Sequence, residues 1–387
     1  MQVIAPSARI GSRIAGKYQL LRVIGEGGMG AVYEARHVQM DRRVAIKMLR
    51  PELLRDHGAV ERFLREAQTA AHLEHKSIVR VLDFGEAEDG TPFIVMIYLD
   101  GHPLSEALYR RGRLSELDAV QVLAPIANAL DRAHRSGVIH RDLKPDNIFM
   151  ARDSDGRERP VLLDFGVARL RGEADALLPA EGGGPVTMLG TPAYMAPEQL
   201  SGGGAVDART DIYGMGVVLY ELLTGVSPFQ REDPESTIRA ILSEGVRSPS
   251  RIVPSISPAM DAVILCAMAR DPQHRFDSME SVQHALQDVL LEPQGSAFLL
   301  QYPLARAVVQ SRADQPAGAE APVAVGAEHA DKRQRTMMLV VGADGTARAS
   351  SPAPKKTANR ARVAGIAFAA VLFVSGAAML AFALLRE

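Results

Sequence analysis

Apolar residues change their period partway along this chain. Up to about residue 98 they come in short alternating runs, and Tyr18–Ile24, Ala31–Arg36, Arg43–Leu49, Val79–Phe84 and Phe93–Tyr98 each read as a strand. One stretch, Val60–Leu73, breaks the alternation with apolar positions at helical spacing. After Gly101 the helical period takes over, in Leu104–Arg111, Glu116–Ser136, Thr210–Thr224, Pro234–Ser243, Pro258–Ala269 and Met279–Leu290. The pattern predicts an α+β fold with two lobes, a small β-rich lobe over residues 18–97 and a larger α-helical lobe over 98–290. A cleft between lobes is a favoured place for a ligand.

The ends read differently. Residues 1–17 look like a short lead-in with no continuous apolar run, so no signal peptide is expected. Residues 291–362 are rich in Ala, Pro, Gly and charge and read as a disordered linker, interrupted by the apolar patch Met337–Val341. From Val363 to Leu385 there are 23 residues without a charge, enough for a transmembrane helix. A buried core helix is the competing reading, but this segment is apolar on every face. Lys355, Lys356, Arg360 and Arg362 crowd its amino-terminal side, and only Arg386 lies beyond. That asymmetry predicts a single-pass anchor with the globular part in the cytoplasm. Ala361, Gly365 and Ala369 sit four apart, as do Ala377 and Ala381, a spacing that permits helix pairing and a homodimer. Ordinary Ala-rich composition explains the spacing as well.

Composition narrows the chemistry. Apolar residues make up 47% of the 387, and the formal net charge is -2. Nucleic-acid binding, which leaves a basic footprint, is not expected. The one cysteine, Cys266, lies in the helical run Asp261–Arg270. It cannot form an internal disulfide, and nothing beside it would lower its pKa, so it reads as a buried, inert thiol.

Several motifs carry chemistry. Gly25-Glu26-Gly27-Gly28-Met29-Gly30 precedes the strand-like Ala31–Arg36. A dinucleotide fingerprint would open a helix instead, so this loop reads as a strand–strand hairpin whose backbone can approach phosphates. Seventeen residues past Gly30 comes Lys47, closing Val44-Ala45-Ile46-Lys47. Alternation puts Val44 and Ile46 on one face and Ala45 and Lys47 on the other, with room for a flat base over Ala45 and phosphate within reach of Lys47. An ammonium in a cleft needs a carboxylate. Glu66 is chosen over Glu61 and Glu74 because Phe63, Ala67 and Ala70 flank it on the inward stripe.

The most specific run is His140-Arg141-Asp142-Leu143-Lys144-Pro145-Asp146-Asn147. It resembles the catalytic loop of Hanks-type, eukaryotic-like protein serine/threonine kinases, in the style of bacterial membrane-anchored members. Asp164-Phe165-Gly166 follows 22 residues after Asp142, and Gly190-Thr191-Pro192-Ala193-Tyr194-Met195-Ala196-Pro197-Glu198 closes the segment after it. An earlier Asp83-Phe84-Gly85, ahead of the catalytic loop, reads as structural. The resemblance spans roughly residues 18–290 and implies ATP-dependent phosphorylation of protein Ser and Thr hydroxyls, autophosphorylation included.

The resemblance also implies roles. ATP would lie under Ile24, Gly25, Glu26, Gly27, Gly28, Met29 and Gly30, against Val32 and Ala45, with Met96 at the gatekeeper place and Tyr98 in the hinge. Lys47, held by Glu66, would grip the phosphates. Asp142 would accept the substrate proton and Lys144 would steady the transferring group. Asn147 and Asp164 would hold Mg2+, with Mn2+ as a substitute. Arg141 and Arg169 would bind a phosphate on Thr187, while Thr191 contacts the catalytic aspartate. Glu198 would pair with Arg275, and Asp211, with Gly216 nearby, would anchor the loop backbone. One departure is Ile97, where many relatives carry Glu. The rival readings are a catalytically dead scaffold of the same fold, which would normally have lost Lys47, Asp142 or Asp164, and a small-molecule kinase, which would lack the Ala196-Pro197-Glu198 segment and Lys144.

Overall fold

The computed structural model describes residues 6–164, 192–201 and 206–313. Strand structure starts earlier than the apolar pattern predicts. The supposed lead-in supplies strand β1 (Arg13–Ile14), which pairs antiparallel with β2 (Tyr18–Glu26). Ile14 is buried, and Arg9 forms an ion pair with Asp89 at 2.6 Å. The segment belongs to the lobe through one buried apolar side chain, backbone bonds and the Arg9 contacts, too little apolar surface to leave a period in the sequence.

β3 (Gly30–His37), β4 (Arg42–Leu49), helix α1 (His57–Ala71), β5 (Val81–Glu86) and β6 (Pro92–Ile97) complete the small lobe. Its six-stranded sheet has the order β1-β2-β3-β4-β6-β5. The alternation on β4 is as expected. Val44, Ile46 and Met48 enter one apolar cluster, and Ala45 and Leu49 enter another that includes Phe63 and Ala67 of α1. Asp56 caps α1 by accepting from the Ala59 N–H at 3.1 Å. The inward face of that helix therefore delivers Phe63, Glu66, Ala67 and Ala70 beneath the sheet.

The large lobe begins with β7 (Gly101–Pro103), α2 (Leu104–Arg111) and α3 (Glu116–Arg135). The hairpin β8 (Ile148–Arg152) and β9 (Glu158–Leu162) joins β7 in a three-stranded sheet. Then come α4 (Pro197–Leu200), α5 (Ala208–Thr224), α6 (Pro234–Ser243), α7 (Pro258–Ala267), α8 (Met279–Leu291) and α9 (Pro303–Ala313). All of α5 from Thr210 to Thr224 is buried, so it serves as the lobe's central post. Gly216 is required there, because a Cβ would stand 2.7 Å from the Met268 side chain. Cys266 is buried on α7, and burial pushes its thiol up to about 12.

The expectation of a disordered linker from residue 291 needs correction. Residues 299–301 form a 3-10 turn, and α9 packs on α7. Leu299, Tyr302 and Ala305 are buried, with the Tyr302 ring edge-on to Phe276 at 4.7 Å. Arg312 reaches the buried Asp261 at 3.5 Å. Composition averaged over the whole stretch hid these few apolar positions behind the Ala- and Pro-rich sequence that follows. Arg169, Thr187, Thr191 and the span 363–385 lie outside the described residues. Among the described residues no helix is long and apolar enough to cross a membrane.

Candidate active site

The glycine-rich turn joins β2 to β3 as a hairpin, with Gly25 opposite Val32 and Glu26 opposite Ala31. The Gly27 N–H donates to the Gly30 carbonyl at 2.9 Å, and the Arg50 N–H donates to the Met29 carbonyl at 2.9 Å. Gly30 is dictated by packing, since a Cβ would lie 2.1 Å from the Met48 carbonyl oxygen on β4. Below the turn, Ile24 and Val32 pack on the cluster that contains Ala45 and Met96. These four side chains make an apolar wall beneath the turn, flat enough to suit the base that the sequence predicts there. Gly28 and Glu26 are exposed at its lip.

Three charged groups meet at the back. Lys47 Nζ donates to Glu66 Oε1 at 2.8 Å and lies 3.1 Å from Asp164 Oδ2. Burial alone would lower the Lys47 ammonium, but Asp164 and Glu66 outweigh it and hold it above its ordinary value. Burial pushes the Glu66 carboxyl up, and the Lys47 charge opposes that rise. Asp164 is the most open of the three, with 38% of its side chain exposed, so it faces the cleft.

The catalytic loop is built around an uncommon backbone. Arg141 has φ of +65°, a left-handed conformation that costs a non-glycine residue about 1–3 kcal/mol. Asp211 on α5 offsets that cost. Its Oδ2 accepts from the His140 N–H and its Oδ1 from the Arg141 N–H, both at 2.8 Å. On the far side, Gln199 Nε2 donates to the Arg141 carbonyl at 3.0 Å. The bend places Asp142 outward, 24% exposed, with Lys144 Nζ 2.9 Å from its Oδ2. Asn147 Nδ2 donates to the Asp142 carbonyl at 2.7 Å and to Oδ2 at 3.0 Å. That leaves the Asn147 amide oxygen for another ligand.

Two positioning residues carried no sequence signal. His134 on α3 donates through Nε2 to Asp211 Oδ2 at 2.7 Å, because a carboxylate can only accept. Burial would raise the Asp211 carboxyl, but the hydrogen bond and charge of His134 and the His140 contacts hold it below its usual range. Gln199 accepts from the Ala196 N–H at 2.9 Å while it holds Arg141, tying the Ala196-Pro197-Glu198 segment to the loop. A lone His or Gln on a helix has no period that reveals such a task. Glu198 and Arg275 do meet as expected, in a two-pronged pair at 2.7 and 2.8 Å.

The donor set suits a hard cation. Asp164 and Asn147 offer oxygens at the cleft, and Mg2+ is usually held by one or two carboxylates plus substrate phosphates. Among the described residues no group of three or more His, Cys, Asp or Glu could hold a metal ion.

Comparison with known proteins agrees with this geometry. Residues 18–287 match the family model described as protein kinase domain. The serine/threonine-protein kinase pkn3 of Myxococcus xanthus is 42% identical over 287 residues, covering 72% of this chain and 51% of pkn3. PrkC of Bacillus subtilis, also named a serine/threonine-protein kinase, is 40% identical over 274 residues, covering 71% of this chain and 40% of PrkC. The chain thus spans about half or less of the length of these curated relatives. Among solved structures, the PknI kinase domain of Mycobacterium tuberculosis is 29% identical with a TM-score of 0.56, covering 74% of this chain and 99% of that one.

Proposed function

This chain belongs to the protein kinase family, and from that premise we propose that it transfers the γ-phosphoryl group of ATP to Ser and Thr hydroxyls of proteins, its own included. The observation that carries the reading is that Lys47 meets Glu66 and Asp164, that Asp142 meets Lys144 and Asn147, and that the Asn147 carbonyl accepts from the N–H of Leu163, next to Asp164, at 2.9 Å. Asp142 orients the substrate hydroxyl and takes its proton as the oxygen–phosphorus bond forms. The bond between the γ-phosphorus and its bridging oxygen breaks, and ADP leaves. Lys144, beside Asp142, offers positive charge to the transferring group. Lys47 grips the α- and β-phosphates. Asn147 and Asp164 would hold Mg2+, or Mn2+ in its place, which neutralises phosphate charge. Retention of Lys47, Asp142 and Asp164 argues against a dead scaffold.

The test incubates the full chain with γ-labelled ATP, a general protein substrate and a panel of sugars. Label is expected on protein Ser and Thr and on the chain itself. Label on sugars, or none anywhere, overturns the assignment. Mass spectrometry of the same sample reads the proposed switch. Thr187, with Arg141 and Arg169 as phosphate ligands, should carry phosphate, and Thr187→Ala should lower activity. An unmodified Thr187 and a fully active alanine variant would remove it.

Residues 363–385 are proposed to anchor the protein in the cell membrane, with the kinase lobes in the cytoplasm. The support is the uncharged run and the basic cluster before it. Deleting 363–387 should move active enzyme from the membrane pellet to the supernatant. Full-length protein found wholly in the supernatant would end the idea.

A further inference from the structure

The face of the small lobe that forms the apolar pocket wall continues, two residues further along each strand, into charge. Ile24, Val32 and Ala45 stand on the wall, and side chains two apart share a face. Their partners on that face are Arg22, Glu34 and Arg43. Arg22 lies directly opposite Glu34 in the β2–β3 ladder, and Glu34 lies opposite Ala45 in the β3–β4 ladder. Register alone therefore brings the three charges together beside the pocket.

Glu34 is 7% exposed. It accepts from Arg22 Nε at 2.7 Å and lies 3.7 Å from Arg43 Nη1. Both guanidinium groups then reach forward to the hinge. Arg22 Nη2 donates to the Tyr98 hydroxyl at 3.1 Å. Arg43 lies over the Tyr98 ring at 4.5 Å and donates to Asp100 Oδ2 at 2.8 Å. Asp100 is held from the other lobe, since its carbonyl accepts from the Arg152 N–H on β8 at 2.7 Å. A continuous chain of polar contacts thus runs from β2, β3 and β4 across residues 98–100 to the large lobe.

We propose that Arg22, Glu34, Arg43, Tyr98 and Asp100 form an interlobe clip that sets nucleotide affinity by fixing the hinge against the pocket wall. The proposal rests on the kinase reading for its ligand and adds positioning residues to it. None of these groups needs to touch phosphate. The clip holds residues 98–100 at a set distance from Ile24, Val32 and Ala45, so it governs how tightly a flat base fits between them. Arg43 and Asp100 are each about half exposed, so their pairing is partly screened by salt.

A double-mutant cycle on the full chain tests this. Arg43→Gln, Asp100→Asn and the double variant are compared for ADP affinity by calorimetry and for ATP KM and kcat. Each single change is expected to weaken binding about three- to fivefold with kcat nearly kept, and the double to weaken it no more than either single. At 1 M salt, where phosphate binding weakens in every form, the gap in affinity between the wild type and the variants should narrow. Additive losses, unchanged affinities in both singles, or affinity losses that merely follow a lower melting temperature would overturn the clip. Nucleotide binding with this coupling but without phosphoryl transfer would support the clip and sink the kinase reading alone. A wild type that binds no nucleotide would sink both.

Discussion

Asp142→Asn is expected to lower kcat about a hundred- to ten-thousandfold while the melting temperature stays within a few degrees of wild type. The side chain is 24% exposed, and its partners are Lys144 and Asn147 at the cleft mouth. Asparagine keeps the volume and loses only the proton acceptor and the charge that Lys144 faces. Lys47→Met should cause a loss of similar size by a different route. It removes the group that grips phosphate and leaves Glu66 buried near Asp164. Burial and that neighbouring carboxylate then favour the neutral form of Glu66, so the fold survives by taking up a proton. A folded Asp142→Asn or Lys47→Met variant that autophosphorylates at the wild-type rate would remove these residues from the chemistry.

How legible this was depended on distance along the chain. Glu66 could be named because Phe63, Ala67 and Ala70 mark the inward face of its own helix, and the structure puts it 2.8 Å from Lys47. The hairpin nature of the glycine turn followed from Ala31–Arg36, which reads as a strand in sequence and is one in the fold. His134, Gln199 and the interlobe clip were invisible, because each works through a partner outside its own run, and the period of a run says nothing of such a partner. The left-handed bend at Arg141 was equally hidden. No local rule puts arginine at positive φ, and only the carboxylate of Asp211, seventy residues on, makes it affordable. α9 was lost for a compositional reason, since Leu299, Tyr302 and Ala305 are few among alanines and charges.

Replacing Arg275 with methionine should cost about 3–5 kcal/mol of stability, the usual penalty for stripping one partner from a buried ion pair. Arg275 is 1% exposed. Besides the two bonds to Glu198, its guanidinium donates to the carbonyls of Ala269 at 2.8 Å, Arg209 at 2.9 Å and Arg270 at 3.2 Å. It also lies over the Tyr213 ring at 4.9 Å. Methionine fills part of the volume and satisfies none of those acceptors. Glu198 would keep the Thr210 hydroxyl at 2.8 Å and a backbone hydrogen bond, but no cation. At roughly 2–4 °C per kcal/mol, the melting temperature should fall by about 6–20 °C. Arg275→Lys should fall in between, because an ammonium keeps the charge and loses the planar fork. The pH dependence identifies the cause. In the wild type, burial pulls the Glu198 carboxyl up, but the bonds and charge of Arg275 outweigh it and hold the group below its ordinary value. A carboxyl depressed in the folded state adds stability above its unfolded pKa, and that stability is lost as pH falls through the folded value. In the methionine variant the bonds and charge of Arg275 are gone while burial stays, so Glu198 takes up a proton more readily and the strain eases in acid. The gap in melting temperature between wild type and Arg275→Met should therefore be widest near pH 7 and shrink toward pH 4. An equal gap at both pH values would assign the loss to packing, and no gap at all would mean that the pair does not hold α4 to the helical lobe.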